Sequence, residues 1–102
     1  MLEPIQRVLA QYGYPLSPRL VQGIIRYLAN AQGLVELDEA IDRQLFQRIL
    51  PRIKGHDENF YNLLQELLQH VPEERFPKTH RRLQQMADSE YGADFFHAVG
   101  NG

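Results

Sequence analysis

Two groups of residues in this sequence have the types and spacing for chemistry with phosphate. The first is a basic segment in which Arg75, Lys78, Arg81 and Arg82 fall between positions 75 and 82, together with His80. Such a segment could pair with several phosphates of a nucleic acid. Two glutamates precede it directly, and a solvated helix face is the commoner outcome for this pattern.

The second group is the tripeptide Ser17-Pro18-Arg19. A serine hydroxyl caps helix N-termini well, and proline is favoured at the first helical position. Together they would hold Arg19 on the first turn of a helix. There its permanently charged, planar guanidinium could reach the terminal phosphate of a nucleotide. The alternative is an arginine that pairs only with a nearby acid or with water.

Other kinds of chemistry find no support in the sequence. There is no cysteine, which excludes disulfides, cysteine-zinc sites and thiol catalysis. No glycine-rich phosphate loop and no histidine-glutamate zinc motif occurs. The histidines are widely spaced, and we expect each to be solvated or to cap a helix: His56, His70, His80 and His97. We therefore predict no catalytic residue, no metal site and no tightly bound cofactor within this chain alone.

The composition limits the class of protein. The chain has 102 residues, enough for one domain, with 43% hydrophobic and 24% charged residues, as in ordinary globular proteins. A formal net charge of −2 argues against a dedicated nucleic-acid-binding protein. No apolar run approaches the roughly 20 residues that span a bilayer, and the N-terminus does not resemble a signal peptide. We expect a cytoplasmic protein without a membrane partner.

Apolar residues recur at helical spacing almost throughout, which predicts an all-α fold, a compact bundle of four to five helices with a flexible C-terminal tail. We expect the bundle to occupy residues 1–96 and the tail 97–102. The helices should begin near residues 2, 18, 38, 57 and 77. Glu36 or Asp38 is the expected cap of the third helix, which Pro51 should break or kink. We expect the core to include Ile24, Leu45, Ile49, Leu64 and Leu67.

Two further positions carry expectations within these helices. Phe46 falls on the apolar face of the third helix, so we expect it on the inner side of the bundle. Gly23 interrupts the second helix at a cost of about 1 kcal/mol, which close helix packing would offset.

The order of several short motifs resembles one family. Ser17-Pro18-Arg19 is similar to the sensor-2 motif of one branch of AAA+ ATPases, which includes the MoxR-type ATPases and the motor subunit of methylcytosine-specific restriction systems. The later segments 40–55, 76–86 and 91–96 are similar, in order, to the remaining motifs of that motor subunit's C-terminal lid. Ser-Pro-Arg replaces the Gly-Tyr-Arg frequent in the restriction motors, which is the MoxR-like variant.

This resemblance implies that the chain is a detached lid, since the P-loop, acidic Walker and sensor-1 motifs are absent from it. Arg19 would then sense the nucleotide γ-phosphate, with Ser17 and Pro18 positioning it. The complete protein would use ATP or GTP with magnesium. The implied partners are an AAA+ core domain and neighbouring subunits of an oligomeric ring, with nucleic acid contacted at most indirectly. The alternative is a stand-alone helical module that binds protein or nucleic acid through the basic residues 75–82 or through an apolar groove.

Overall fold

Five α-helices form the bundle in the computed structural model, which describes residues 2–55 and 57–88. The helices are α1 (Glu3–Gln11), α2 (Pro18–Ala31), α3 (Leu37–Gln44), α4 (Glu58–His70) and α5 (Pro77–Met86). This part of the chain contains no β-strand, only an isolated bridge between Gln32 and Val35. The predicted all-α bundle is confirmed. The predicted tail 97–102 and residues 89–96 lie outside the described residues.

The ends of α1 and α2 follow from local signals. Gly13 has a φ of 92°, which favours glycine, and the backbone N–H groups of Gly13 and Tyr14 bond the carbonyls of Ala10 and Leu9. This Schellman arrangement satisfies the last carbonyls of α1. Ser17 then caps α2, with Pro18 in the first turn, as the sequence predicts.

The third helix changes its geometry as it approaches Pro51. It continues from α3 into a π-helical turn (Leu45–Ile49) and then a 3₁₀ turn (Leu50–Arg52). Proline has no N–H, and its ring conflicts with the carbonyl four residues earlier, so regular α geometry cannot continue there. The Leu50 N–H instead bonds the Leu45 carbonyl, five residues back. The predicted break at Pro51 takes this form.

The cap predicted for α3 is wrong. Glu36 occupies the N-cap position, but its side chain makes no capping hydrogen bond. Asp38 is committed elsewhere, because both of its carboxylate oxygens accept from Arg75.

The predicted core is confirmed. Side chains from all five helices form a continuous apolar cluster, and its expected members are at most 2% exposed: Ile24, Leu45, Ile49, Leu64 and Leu67. Phe46 is a correction, since it is 40% exposed and lines a surface cavity with Phe60 and Met86. It lies at the edge of the apolar stripe rather than inside the bundle.

One polar interaction joins α3 to α5 within this core. Asp42 is 3% exposed, and its carboxylate accepts from the backbone N–H groups of Lys78 (3.0 Å) and Thr79 (2.8 Å). The buried Thr79 hydroxyl donates to the Asp42 carbonyl at 3.0 Å. Since Phe76 at the N-cap of α5 has no side-chain acceptor, Asp42 caps that helix from a neighbouring one.

We predict that Asp42→Ala lowers the free energy of unfolding by about 2–4 kcal/mol, because two charge-assisted bonds are lost and two N–H groups lose their acceptor. The matched variant Thr79→Val removes only the hydroxyl bond and should cost about 1 kcal/mol. Urea denaturation of both variants measures the difference. A cost for Asp42→Ala no larger than that for Thr79→Val would contradict this assignment.

Candidate functional site

Arg19 lies on the first turn of α2, with its side chain exposed. The Ser17 hydroxyl oxygen accepts from the Leu20 backbone N–H at 3.1 Å, and Pro18 is the first helical residue. The first turn of α2 contains no acidic residue. Among residues 2–55 and 57–88, no carboxylate pairs with the Arg19 guanidinium. Ser17, Pro18 and Arg19 thus lie where the sequence analysis predicts them. Their proposed role in binding phosphate stays a prediction.

The beginning of α2 is fixed against the segment that follows the 3₁₀ turn. The Tyr14 hydroxyl donates a hydrogen bond to the Lys54 carbonyl, which ties the α1–α2 loop to that segment. A cavity of about 190 Å³ lies at the same junction and is lined by Leu16 and Arg52, among others. Arg52 therefore lines the same cavity as Leu16, which is two residues before α2.

Two contacts set the register between α2 and the third helix. The Arg43 Nη1 lies 3.4 Å from the Tyr27 hydroxyl oxygen. Gly23 lies one turn earlier on α2 and contacts Arg48 of the third helix. The Arg48 Nη1 lies 2.8 Å from the position that a Cβ of residue 23 would occupy. The earlier residue of α2, Gly23, contacts the later residue of the third helix, Arg48, and the later residue, Tyr27, contacts the earlier one, Arg43. The two elements are therefore antiparallel, and the N-terminus of α2 faces the Arg48–Arg52 end of the third helix.

We expected close packing between helices to offset the cost of Gly23, and the structure shows a different contact. The close neighbour of Gly23 is the guanidinium of Arg48, an arginine side chain, rather than the backbone of a packed helix. The absence of a side chain at Gly23 leaves room for a cation to lie on α2.

Three arginines belong to this end of the antiparallel pair, Arg19 on α2 and Arg48 and Arg52 on the third helix, and we call them the arginine cluster. Their side chains are exposed, and within the described part of the chain no carboxylate is paired with any of them. Arg52 also folds back, with its Nε donating to the Arg48 carbonyl at 3.2 Å. The N-terminus of a helix carries partial positive charge, which favours anions and disfavours cations. A bound anion would therefore stabilise this arrangement.

Sequence reasoning found Arg19 but missed Arg48 and Arg52. Their spacing of four residues places them on one side of a helix, which is a visible signal. Their approach to α2, however, depends on the antiparallel packing, which no local pattern in the sequence specifies.

Two of the four cations of the basic segment 75–82, Arg75 and Arg81, pair with carboxylates of the bundle. The Arg75 Nε and Nη2 donate to the two Asp38 carboxylate oxygens at 3.0 and 2.9 Å, and its guanidinium lies 4.9 Å from the centre of the Phe76 ring. Arg81 pairs with Glu73 at 3.5 Å.

The other two cations of the segment lie apart from these pairs. Lys78 is exposed, and Arg82 lines the cavity of about 390 Å³ beside Phe46 and Met86. The structure therefore does not bring the four basic residues together as one unpaired surface.

The histidines differ in their surroundings. His80 is half-buried, and its Nδ1 lies 2.7 Å from the Val71 carbonyl. Since a carbonyl only accepts, Nδ1 carries the proton. His70 is exposed in the last turn of α4, whereas His56 and His97 lie outside the described residues. In the described ranges, no group of three or more histidine and acidic side chains could hold a metal ion.

Comparison with known proteins gives a family for the chain. A family model described as "Domain of unknown function (DUF8727)" matches residues 1–93. The chain belongs to this family. No curated protein and no solved structure matches the sequence. None of the helices in the described part of this DUF8727 domain is long and apolar enough to cross a membrane.

The Arg75–Asp38 pair generates a prediction about pH. The hydrogen bond from Arg75 holds the pKa of Asp38 below its ordinary value of 3.8. Because the folded-state pKa is the lower one, the pair stabilises the fold above pH 3.8, and this contribution disappears as the pH falls through the folded-state pKa. Asp38→Asn should therefore cause a small loss of stability at neutral pH, since exposed ion pairs contribute little, and none in strong acid.

Urea denaturation of wild type and Asp38→Asn at several pH values tests this expectation. The exposed residue Glu74 offers a matched control, because no ion pair among the described residues involves it. Glu74→Gln should leave stability unchanged at neutral pH. A difference between wild type and Asp38→Asn that persists unchanged into strong acid would contradict the pair as its cause.

Proposed function

We propose that this chain is the helical lid of a cytoplasmic AAA+ NTPase, in which Arg19 contacts the terminal phosphate of ATP or GTP bound to a core domain. The observation that carries the proposal is the state of Arg19. It lies on the first turn of a capped helix, exposed, with no carboxylate partner among the described residues. The ordered resemblance of the later segments to an AAA+ lid supports the same function.

The mechanism that we propose is electrostatic. Ser17 and Pro18 fix the first turn, so the Arg19 side chain begins from a rigid position instead of a mobile loop. Its guanidinium would donate hydrogen bonds to the oxygens of the terminal phosphate, where negative charge must be stabilised during phosphoryl transfer. When the lid closes over the core and excludes water, each such bond contributes more than it would on an exposed surface.

The lid would also connect nucleotide state with assembly. When the terminal phosphate leaves, Arg19 loses its partner, and the lid is free to rotate relative to the core. In a ring of subunits, such a rotation would change contacts with the neighbouring subunit, as rigid-body switches do. The isolated chain should not hydrolyse nucleotide, because it contains no phosphate-binding loop.

The stand-alone binding module is a weaker proposal. Its positive charge would come from residues 75–82, where Arg75 and Arg81 already pair with Asp38 and Glu73. A nucleic acid would have to compete with both carboxylates, which reduces the number of phosphates that the segment can neutralise.

We predict that Arg19→Ala reduces nucleotide turnover about 10- to 1000-fold in the AAA+ assembly that contains this lid, since one charge-stabilising donor is lost. Arg19→Lys should restore turnover only partly, because an ammonium group cannot reproduce the planar guanidinium. Steady-state hydrolysis of ATP and of GTP by the assembly measures both effects.

Arg26→Ala is the matched control, since Arg26 is an exposed arginine on the same helix, two turns after Arg19. It should leave turnover unchanged. Thermal melts of the 102-residue chain should show little change for any of the three variants, because exposed arginines contribute little to stability. Wild-type hydrolysis by the Arg19→Ala assembly would refute the proposed role.

A further inference from the structure

We infer that Arg48 is a second phosphate-binding residue, which acts together with Arg19 on the same polyphosphate across the surface of Gly23. This inference rests on the proposed function and extends it to a residue outside the sensor-2 motif. The ligand class is a polyphosphate, such as the triphosphate of a nucleotide.

The first argument is the position of the Arg48 side chain. Its Nη1 lies 2.8 Å from the position of a Cβ at Gly23, so the guanidinium rests directly on α2. Arg19 is four residues before Gly23, and side chains at that spacing lie on the same face with Cβ atoms about 5–6 Å apart. Arg48 therefore places a cation one helical turn from the base of the Arg19 side chain.

The second argument is that neither cation is neutralised. No carboxylate of the described residues pairs with the guanidinium of Arg19 or Arg48. Two unpaired guanidinium groups that approach each other on one surface repel each other. A multiply charged anion between them would remove that repulsion and would pair with both.

Arg43 lies on the same helical element as Arg48 but has a structural role, because its guanidinium has partners within the protein. Its Nη2 lies 3.8 Å from the Glu39 carboxylate and its Nη1 lies 3.4 Å from the Tyr27 hydroxyl. Arg43 packs against α2 as Arg48 does, but it has partners inside the protein. Arg43 is therefore the matched control for Arg48.

The geometry favours a polyphosphate over a single small anion. One turn of α2 separates the Arg48 guanidinium, at Gly23, from the base of the Arg19 side chain, so the two guanidinium groups can contact different phosphates of one chain. A guanidinium also donates two parallel hydrogen bonds to phosphate oxygens. Inorganic tripolyphosphate contains the repeated phosphate unit without a base or sugar, which makes it the appropriate probe.

The test is an NMR titration of the 102-residue chain with tripolyphosphate at low ionic strength. Sodium chloride at matched ionic strength separates binding from screening. We expect weak, saturable shifts of the backbone amides at the start of α2. Arg48→Gln and Arg19→Gln should each weaken binding by about two- to fivefold, the effect of losing one charged contact at an exposed site. Arg43→Gln should bind like the wild type.

Gly23→Ala provides a second and independent variant. The added methyl group must displace the Arg48 guanidinium, whose flexible side chain can move away. Alanine also favours helix more than glycine does. The variant should therefore melt at the same or a higher temperature while binding tripolyphosphate more weakly, a combination that loss of folding cannot produce.

The outcomes separate this inference from the proposed function. If Arg19→Gln weakens binding but Arg48→Gln and Gly23→Ala do not, Arg48 has no such role and the proposal for Arg19 survives. If Arg43→Gln weakens binding as much as Arg48→Gln, the effect is general charge and the inference is overturned. If tripolyphosphate has no more effect than sodium chloride, the inference is likewise overturned, while turnover of the Arg19 variants still tests the proposed function by itself.

Discussion

The placement of the candidate site depends on the contact between the Asp42 carboxylate and the N-terminus of α5. This contact fixes the third helix from one side, at two backbone N–H groups that have no acceptor in their own helix. On its other side the same helix packs on α2 through Arg43 and Arg48. Asp42, which caps α5, and Arg48 thus lie on different faces of one helical element. If the cap were lost, the surface that presents Arg48 to α2 would lose its support.

Pro51 adds a second constraint on that element. Because proline cannot continue an α-helix, the chain passes through the π turn before the 3₁₀ turn, and Arg48 lies inside the π turn. Turns of this kind are uncommon and occur frequently at functional sites. The irregular stretch ends where Tyr14 binds the Lys54 carbonyl, which fixes the loop that leads into α2. The position of Arg19 relative to Arg48 therefore follows from two features, the break at Pro51 and the hydrogen bond from Tyr14 to the Lys54 carbonyl.

Local signals in the sequence predict the helices well, because caps and apolar spacing act over a few residues. Ser17 and Asp57 cap α2 and α4, and Gly13 ends α1. Long-range polar contacts are different. Asp42 is a charged residue that helical spacing alone does not place in a core, and its bond to Thr79 spans 37 positions. Asp38, the partner of Arg75, also lies 37 positions away, so local sequence patterns do not indicate this pair. The same holds for the candidate site. Local signals predict the position of Arg19, whereas the approach of Arg48 to α2 depends on long-range packing.

The arginine cluster differs from several other arginines of the chain in how its charge is compensated. The chain has 13 acidic and 11 basic residues, so acids are not scarce. Carboxylates do pair with Arg43, Arg75 and Arg81. A missing partner is not by itself informative, since exposed Arg26 has none among the described residues either. The distinguishing feature is that the Arg48 guanidinium lies on α2 one turn from Arg19, which is itself on the first turn, where the helix dipole adds positive charge. Arg48 and Arg52 lie in the last turns of the third helix, where cations are favoured, so folding accounts for their own positions. It does not account for the approach of Arg48 to Arg19, and the polyphosphate that we propose would remove the repulsion between those two.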